Sequence, residues 1–264
     1  MFASPQQHRS PTRLPIDSRF VRLLDEDPDL ADLMREDRRR EAAEVLRVRL
    51  IDLPRGEWDC ANPHGPADMG HLLLGGAVAR EVTLEDIVSS ELLGAGDLLV
   101  PAAPAGPDRL PGQTVRCQVL AASRVAVLDT TAAAHLGRFP EITAALMTRL
   151  GTQADRLSTL KAIAQLNSVE RRVLALMRHL ASRWGRMTPR GVVIPLTVSH
   201  RLLGELIGAR RPTVSVAVAA LGRADSVHRL QDGTWLLTAE LAPEVGDLPP
   251  RAIPHRRRLV SEVD

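Results

Sequence analysis

At 264 residues and 28.8 kDa, with 44% hydrophobic residues, the chain is long enough for two modest domains with cores of their own. No apolar run of about twenty residues and no apolar signal core is present, which argues against a membrane span and for a soluble, cytoplasmic protein. The net charge of +2 conceals a division: residues 1–167 carry 19 basic and 23 acidic side chains, whereas 168–241 carry eleven arginines, no lysine and five acids, a net +6. A basic module joined to an acidic one is the pattern of a phosphate-binding domain on a separate regulatory domain.

Residues 1–20 hold Pro5, Pro11 and Pro15 amid Ser, Gln and His and read as a disordered arm. Phe20, Leu23, Leu24, Leu30, Leu33 and Met34 suggest one or two short helices, continued by a charged surface over 38–44, so 1–45 form an arm and cap. From 46 to 135 the texture changes to short β-type runs at 45–53, 72–74, 78–84, 87–93, 98–100, 114–121 and 123–128, with turns at 55–57 and 94–97 and a Pro/Gly-rich loop over 101–112. With aromatics at only 2% and no tyrosine, their core must be built from Leu, Val, Ile and Ala. Many short strands with frequent turns predict a β-barrel or jelly roll. The two cysteines, Cys60 and Cys117, are too few for a disulfide framework and read as buried reduced thiols.

A long helix is predicted from Phe139, within a unit spanning 138–166. Ile142, Leu146, Leu150, Gln153, Leu157, Leu160 and Ala164 recur three and four apart, the seam of a two-stranded coiled coil with a polar residue inside it. Packing of one amphipathic helix against the β domain is the alternative. Residues 167–241 then form a basic domain. It opens with a helix over 169–184 whose core positions are Val173, Leu174, Leu176, Met177 and Leu180, followed by a strand over 192–196.

The most informative stretch is 199–221, SHRLLGELIGARRPTVSVAVAAL. Ser199 is placed to cap a two-turn helix carrying Leu202, Leu203, Leu206 and Ile207 on one face. Gly208 stands at the reversal, Gly204 allows close approach of the next helix, and Pro212 is tolerable in a first turn. The second helix buries Val214, Ala217, Val218 and Leu221 and leaves Arg210, Arg211, Thr213, Ser215 and Val216 outward. Strands at 227–230 and 234–237 flank Asp232-Gly233, a hairpin signal, with His228 and Arg229 in reach of phosphates. Strand, helix, turn, helix and two-stranded ribbon make a winged helix-turn-helix, whose second helix fits the major groove of double-stranded DNA. A plain helical hairpin with surface arginines explains the helices but not the flanking strands or the segregated charge. The proline-rich tail, 242–264, ends in Arg256, Arg257 and Arg258 and reads as flexible and basic.

This order of elements resembles the Crp/Fnr transcription regulators over about 46–240. The resemblance is carried by LLGAGDLL at 92–99, SVERRVLALMRHLA at 168–181 and LLGELIGARRPTVSVAVAAL at 202–221. It implies an α+β chain with an N-terminal jelly-roll-like β-roll, a long dimerisation helix and a C-terminal winged helix-turn-helix. It further implies a homodimer on a roughly palindromic site, with RNA polymerase and a small-molecule effector as further partners. By the same resemblance Arg211 bonds a guanine edge, Ser199, Arg201, Arg210 and Thr213 touch the DNA backbone, and Val216 faces bases. Ser215 and Arg229 join this DNA-binding set by position. The best-known family version has a glutamate at the place of Pro212 and an arginine at that of Val216, so this helix is expected to prefer its own operator.

The effector half departs further. Cyclic-nucleotide binding in the family uses a Gly-Glu pair and an Arg-Ser/Thr-Ala sequence, because a cyclic phosphate needs a cation and converging N–H donors. Here Gly96-Asp97 leads into Leu98-Leu99-Val100-Pro101, and Arg109 and Arg116 lack that context. The sequence thus identifies no cofactor and argues against a cyclic nucleotide, which remains the alternative effector. Four-cysteine iron–sulfur binding is excluded by count. The spacing of His64, His71 and His135 relative to the cysteines matches no metal motif. A β-barrel enzyme with an accessory helical domain is the remaining alternative, but no nucleophile with a base, motif-borne carboxylate pair or phosphate loop is found, so no catalytic residue is assigned.

Overall fold

A computed structural model describes residues 18–60, 69–100 and 110–238. The N-terminal arm up to 17, His64, Arg109, most of the Pro/Gly-rich loop and the basic tail lie outside the described residues.

The first described segment is a strand rather than a helix. β1 (Ser18–Arg22) pairs antiparallel with β2 (Arg47–Leu53) and leads into α1 (Leu23–Glu26), a 3-10 turn at Pro28–Ala31, and α2 (Glu36–Val45). Of the apolar residues in that pattern, Leu23, Leu24 and Leu30 are buried, whereas Phe20 and Leu33 are exposed. Pairing with β2, which no local pattern announces, decided that Phe20 lies in a strand.

β3 (Gly56–Trp58), β4 (Gly70–Leu84), β5 (Ile87–Gly94), β6 (Leu98–Leu99) and β7 (Thr114–Leu128) complete a seven-stranded sheet. Its path runs β1-β2-β7-β4-β5, with β3 also on β7 and β6 on β4. The runs at 72–74 and 78–84 are one strand, and so are those at 114–121 and 123–128. The apparent breaks are register shifts between Leu73 and Val78, where Ser123 Oγ accepts the Ala77 amide at 3.1 Å and donates to Ala121 O at 2.7 Å. The sheet closes over Ile51, Leu73, Val78, Leu93, Val119, Val125 and Val127, while Leu50, Leu72, Leu74, Ala126 and Leu128 face the helices.

The cysteines are bonded, not reduced: Cys60 and Cys117 form a disulfide with a Cα–Cα distance of 5.8 Å. The residues read as a turn at 55–57 open β3, whose Trp58 pairs with Cys117 on β7; Cys60 N then donates to Trp58 O, turning the chain back so that Cys60 meets Cys117. Fifty-seven residues of separation hid that pairing, because nothing local marks β3 as a partner of β7.

After α3 (Thr130–Leu136), capped by Asp129 through Ala132 N, the long helix α4 (Pro140–Ala164) begins after Phe139, as its periodicity predicts. The face called a coiled-coil seam is largely turned inward. Ile142 and Leu146 join the core against the β-roll, and Gln153 Nε2 donates to Glu91 Oε1 on β5 at 2.9 Å. Arg149 pairs with Asp27 beside the 3-10 turn. Outward on α4 stand Ala144, Met147, Gly151, Ala154 and Ser158, with Leu157 also exposed.

The C-terminal unit is α5 (Val169–Trp184), β8 (Arg186–Thr188), β9 (Gly191–Ile194), α6 (His200–Ile207), α7 (Arg211–Arg223), β10 (Val227–Arg229) and β11 (Trp235–Thr238). Its strands form one antiparallel sheet ordered β10-β11-β9-β8; β8 and its pairing carried no sequence signal strong enough to read. Val173, Leu176, Met177, Leu203, Ile207, Val214, Ala217 and Trp235 share one core, and Ala77, Ala79 and Leu92 of the β-roll join it. Trp235 is fully buried and its indole N–H donates to Val198 O at 3.1 Å, which ties the wing to the segment entering α6.

No helix among the described residues is long and apolar enough to cross a membrane.

Candidate nucleic-acid interface

The helix-turn-helix is built by local chemistry. Ser199 adopts an extended backbone before α6 and its hydroxyl accepts from Leu202 N at 3.2 Å. Gly208 ends α6 in the left-handed region, φ 65°, where a side chain would be strained. Gly204 is required by the turn more than by the helix crossing: a Cβ there would lie 2.3 Å from Ala209 O, whose amide donates back to Gly204 O at 2.9 Å. Arg172 of α5 braces the same turn, with Nε on Leu166 O at 2.7 Å and Nη1 near Gly208 O at 3.4 Å. Sequence reasoning counted Arg172 only as surface charge; its three-residue offset from Val169 gave no hint of a carbonyl partner 36 positions away.

The residues expected to touch DNA cluster around the start of α7. Arg210 is its N-cap residue and makes no side-chain cap bond; Arg211, Pro212 and Thr213 follow in the first turn, all exposed, and Val216 is 64% exposed one turn on. Four of the expected residues thus share one open helix end, where unpaired backbone N–H groups and the helix dipole also favour an anion. Ser199 is exposed, but its hydroxyl is committed to the cap.

Ser215 is half-buried and held. Its hydroxyl donates to Arg211 O at 3.1 Å and meets His200 Nδ1 at 2.9 Å, so the ring nitrogen supplies the other proton. Burial, with the charges of Arg229 and Arg211 behind it, lowers the His200 pKa below 6.5. A neutral His200 therefore links α6 to α7 and lies 5.9 Å from the Trp235 ring. The only sequence cue to it was its place beside Ser199.

Arg229 is exposed on β10, its guanidinium 6.0 Å from the centroid of the Trp235 ring. The wing turn is stiffened by Asp232, which accepts from Thr234 N at 2.9 Å and Thr234 Oγ1 at 2.6 Å; these bonds hold its carboxyl below the usual range. Arg201, by contrast, is 57% exposed but already engaged by two acids. Nη1 lies 2.5 Å from Glu205 Oε1 and Nη2 3.3 Å from Glu81 Oε1, on β4 of the β-roll.

In the β-roll, His71 is buried edge-on to Trp58, with ring centroids 5.2 Å apart, and His135 lies in α3. No group of three His, Cys, Asp or Glu side chains placed to hold a metal is found among the described residues. Asp97, at the glycine turn, takes Arg156 of α4 and Arg183 of α5.

This architecture is similar to solved structures of bacterial regulators. A CRP/FNR-family transcriptional regulator from Thermus thermophilus aligns with a TM-score of 0.53 at 19% identity, covering 73% of this chain and 97% of that one. The chain has a Crp/Fnr-like fold. FixK2 from Bradyrhizobium japonicum aligns with a TM-score of 0.56 at 15% identity, over 77% of this chain and 99% of the other. A CooA mutant from Carboxydothermus hydrogenoformans gives 0.56 at 18% identity, over 72% and 83%. No protein-family model and no curated protein sequence matches the chain. The Crp/Fnr-like fold therefore rests on shape and element order rather than on close sequence kinship.

Proposed function

We propose that the chain is a DNA-binding transcription regulator that acts as a homodimer on a roughly palindromic operator. The observation that carries this reading is the open N-terminal end of α7, where Arg210, Arg211, Thr213 and Val216 all face outward beside the wing arginine Arg229. Affinity then comes mainly from Arg210 and Arg229 on phosphates with release of counterions, and base readout from Arg211 and Val216. An arginine fork matches the O6 and N7 acceptors of guanine, and Val216 presents only an apolar surface, suited to a thymine methyl. Ser215 contributes through His200, as a brace rather than a contact.

The second copy would pack on the outward face of α4, where Ala144, Gly151 and Ala154 allow close helix approach and Met147 supplies apolar contact. Two recognition helices about one DNA turn apart follow from such a pair. The effector is a small molecule other than a cyclic nucleotide. In support, the aspartate of the glycine turn is committed to Arg156 and Arg183, and Ile142 and Leu146 of α4 share one apolar core with Leu72 and Leu74 of the sheet. RNA polymerase is the partner a regulator of this kind would engage.

Enrichment of random duplexes with the purified chain tests the reading. An enriched motif with two-fold symmetry and half-sites about ten base pairs apart is expected; an unenriched pool would sink it. Calorimetry with cyclic AMP and cyclic GMP tests the effector reading, for which no heat of binding is expected.

A further inference from the structure

The helix-turn-helix is docked on the β-roll by a matched set of polar groups. On β4 and β5, Glu81 and Ser90 are direct cross-strand partners, so their side chains leave the same face of the sheet. On α6, Arg201 and Glu205 stand one turn apart and also share a face. The two pairs interlock: Arg201 Nη2 reaches Glu81 Oε1 at 3.3 Å, Ser90 Oγ donates to Glu205 Oε2 at 2.9 Å, and Arg201 Nη1 closes the square on Glu205 Oε1 at 2.5 Å.

The exposures within this square are unequal. The carboxylates are covered, with side-chain exposures of 15% for Glu81 and 10% for Glu205, while Arg201 remains 57% exposed. The cation is therefore open to an outside anion, whereas the acids that hold it are not open to an outside cation. A phosphodiester offers a guanidinium what a carboxylate does, an anionic oxygen with the same hydrogen-bonding geometry. Arg201 has five N–H donors, but both terminal nitrogens already face acids, so a phosphate that takes their paired fork competes with Glu81 for the guanidinium.

We infer that Glu81 is an internal stand-in for a DNA phosphate: the β-roll and DNA compete for Arg201, so that docking of α6 on β5 weakens DNA binding and DNA binding loosens the dock. This rests on the reading of α6 and α7 as the DNA-binding unit. The coupling is reciprocal, as any linkage between two binding equilibria must be. It also gives the β-roll a direct route to the DNA-binding surface: whatever shifts the β4–β5 ribbon alters the availability of one phosphate-binding arginine.

The contact is to the DNA backbone, so a labelled mixed-sequence duplex serves as the probe and no operator need be known. Full-length wild type, Glu81→Gln, Arg201→Gln, the double variant and Asp86→Asn are compared by fluorescence anisotropy at low salt. Asp86 lies at the exposed tip of the same hairpin and controls for simple loss of negative charge. Glu81→Gln is expected to bind about fivefold or more tighter than wild type, the lower end of ordinary coupling. Asp86→Asn stays within about twofold of wild type, and Glu81→Gln has no effect in the Arg201→Gln background. In hydrogen exchange of the wild type, adding the duplex raises exchange in β5. Wild-type binding with no gain in Glu81→Gln, or a gain that persists without Arg201, overturns this inference alone. Failure of the wild type to bind any duplex overturns it together with the DNA-binding reading.

Discussion

Asp97 of the β-roll holds Arg183 of the C-terminal domain: Oδ2 accepts from Arg183 Nη2, while Oδ1 takes Arg156 of α4 and the Gly94 amide lies 2.8 Å from Oδ2. Arg183 is further fixed on Leu92 O at 3.0 Å and lies 4.1 Å over the Trp184 ring. One carboxylate thus joins the sheet, the long helix and the first helix of the winged unit.

Asp97→Asn would remove the carboxylate charge that the partly buried Arg156 and Arg183 share. Loss of one partner from a buried ion pair costs about 3 kcal/mol or more. Urea unfolding of the full chain should show that loss, with faster amide exchange in α5; a midpoint equal to wild type would mean the hub is energetically idle.

Arg211→Ala is expected to lower operator affinity by about 1–3 kcal/mol, concentrated at one base position, because a bidentate base contact is lost. Arg210→Ala should weaken all duplexes alike and reduce the salt slope by about 1, as one phosphate contact fewer. Titrations of both variants against single-base operator variants at several salt concentrations separate the two roles.

On α4, Met147 is 62% exposed and a side chain at Gly151 would meet no atom within 4 Å, so neither is used by its own β-roll. Met147→Glu places a charge in the proposed helix–helix seam. Sedimentation equilibrium should show association weakened by about 2 kcal/mol or more, roughly thirtyfold. An unchanged dimer would move the interface elsewhere.

Reducing the Cys60–Cys117 bond opens a loop of 57 residues, for which chain entropy alone gives about 4 kcal/mol. Cys60→Ser/Cys117→Ser should therefore unfold at lower denaturant than the oxidised wild type, and a dithiol reductant should bring wild type to the same midpoint.

The His179 pKa is lowered below 6.5 by burial and then by the charges of Arg183 and Arg156. The unfolded chain, with its ordinary histidine, takes up that proton at higher pH than the folded one. Stability from neutral His179 is thus complete above about pH 6.5 and is lost as pH falls below it. Glu91 and Glu205 act in the opposite sense, because burial raises their pKa values above 4.5. Comparing wild type with His179→Gln isolates the histidine: the wild type should lose stability relative to the variant as pH drops, and parallel curves would refute the assignment.

What the sequence by itself determined is what local chemistry dictates. The apolar periodicity of 169–184 and of 140–164, the Ser199 cap, the Gly208 reversal and the Asp232-Gly233 turn each depend on neighbours within a few residues, and each has its structural counterpart. The helix end bearing Arg210 and Arg211 was legible for the same reason. Only the tertiary structure decided which distant groups share a face. The β3–β7 register joined Cys60 to Cys117, the β-roll rather than a partner helix took Ile142, Leu146 and Gln153, and the Glu81–Ser90 pair met Arg201 and Glu205. Such contacts depend on strand pairing and docking over 57 to 120 positions, and side chains that meet across those separations leave no periodicity in the chain that carries them.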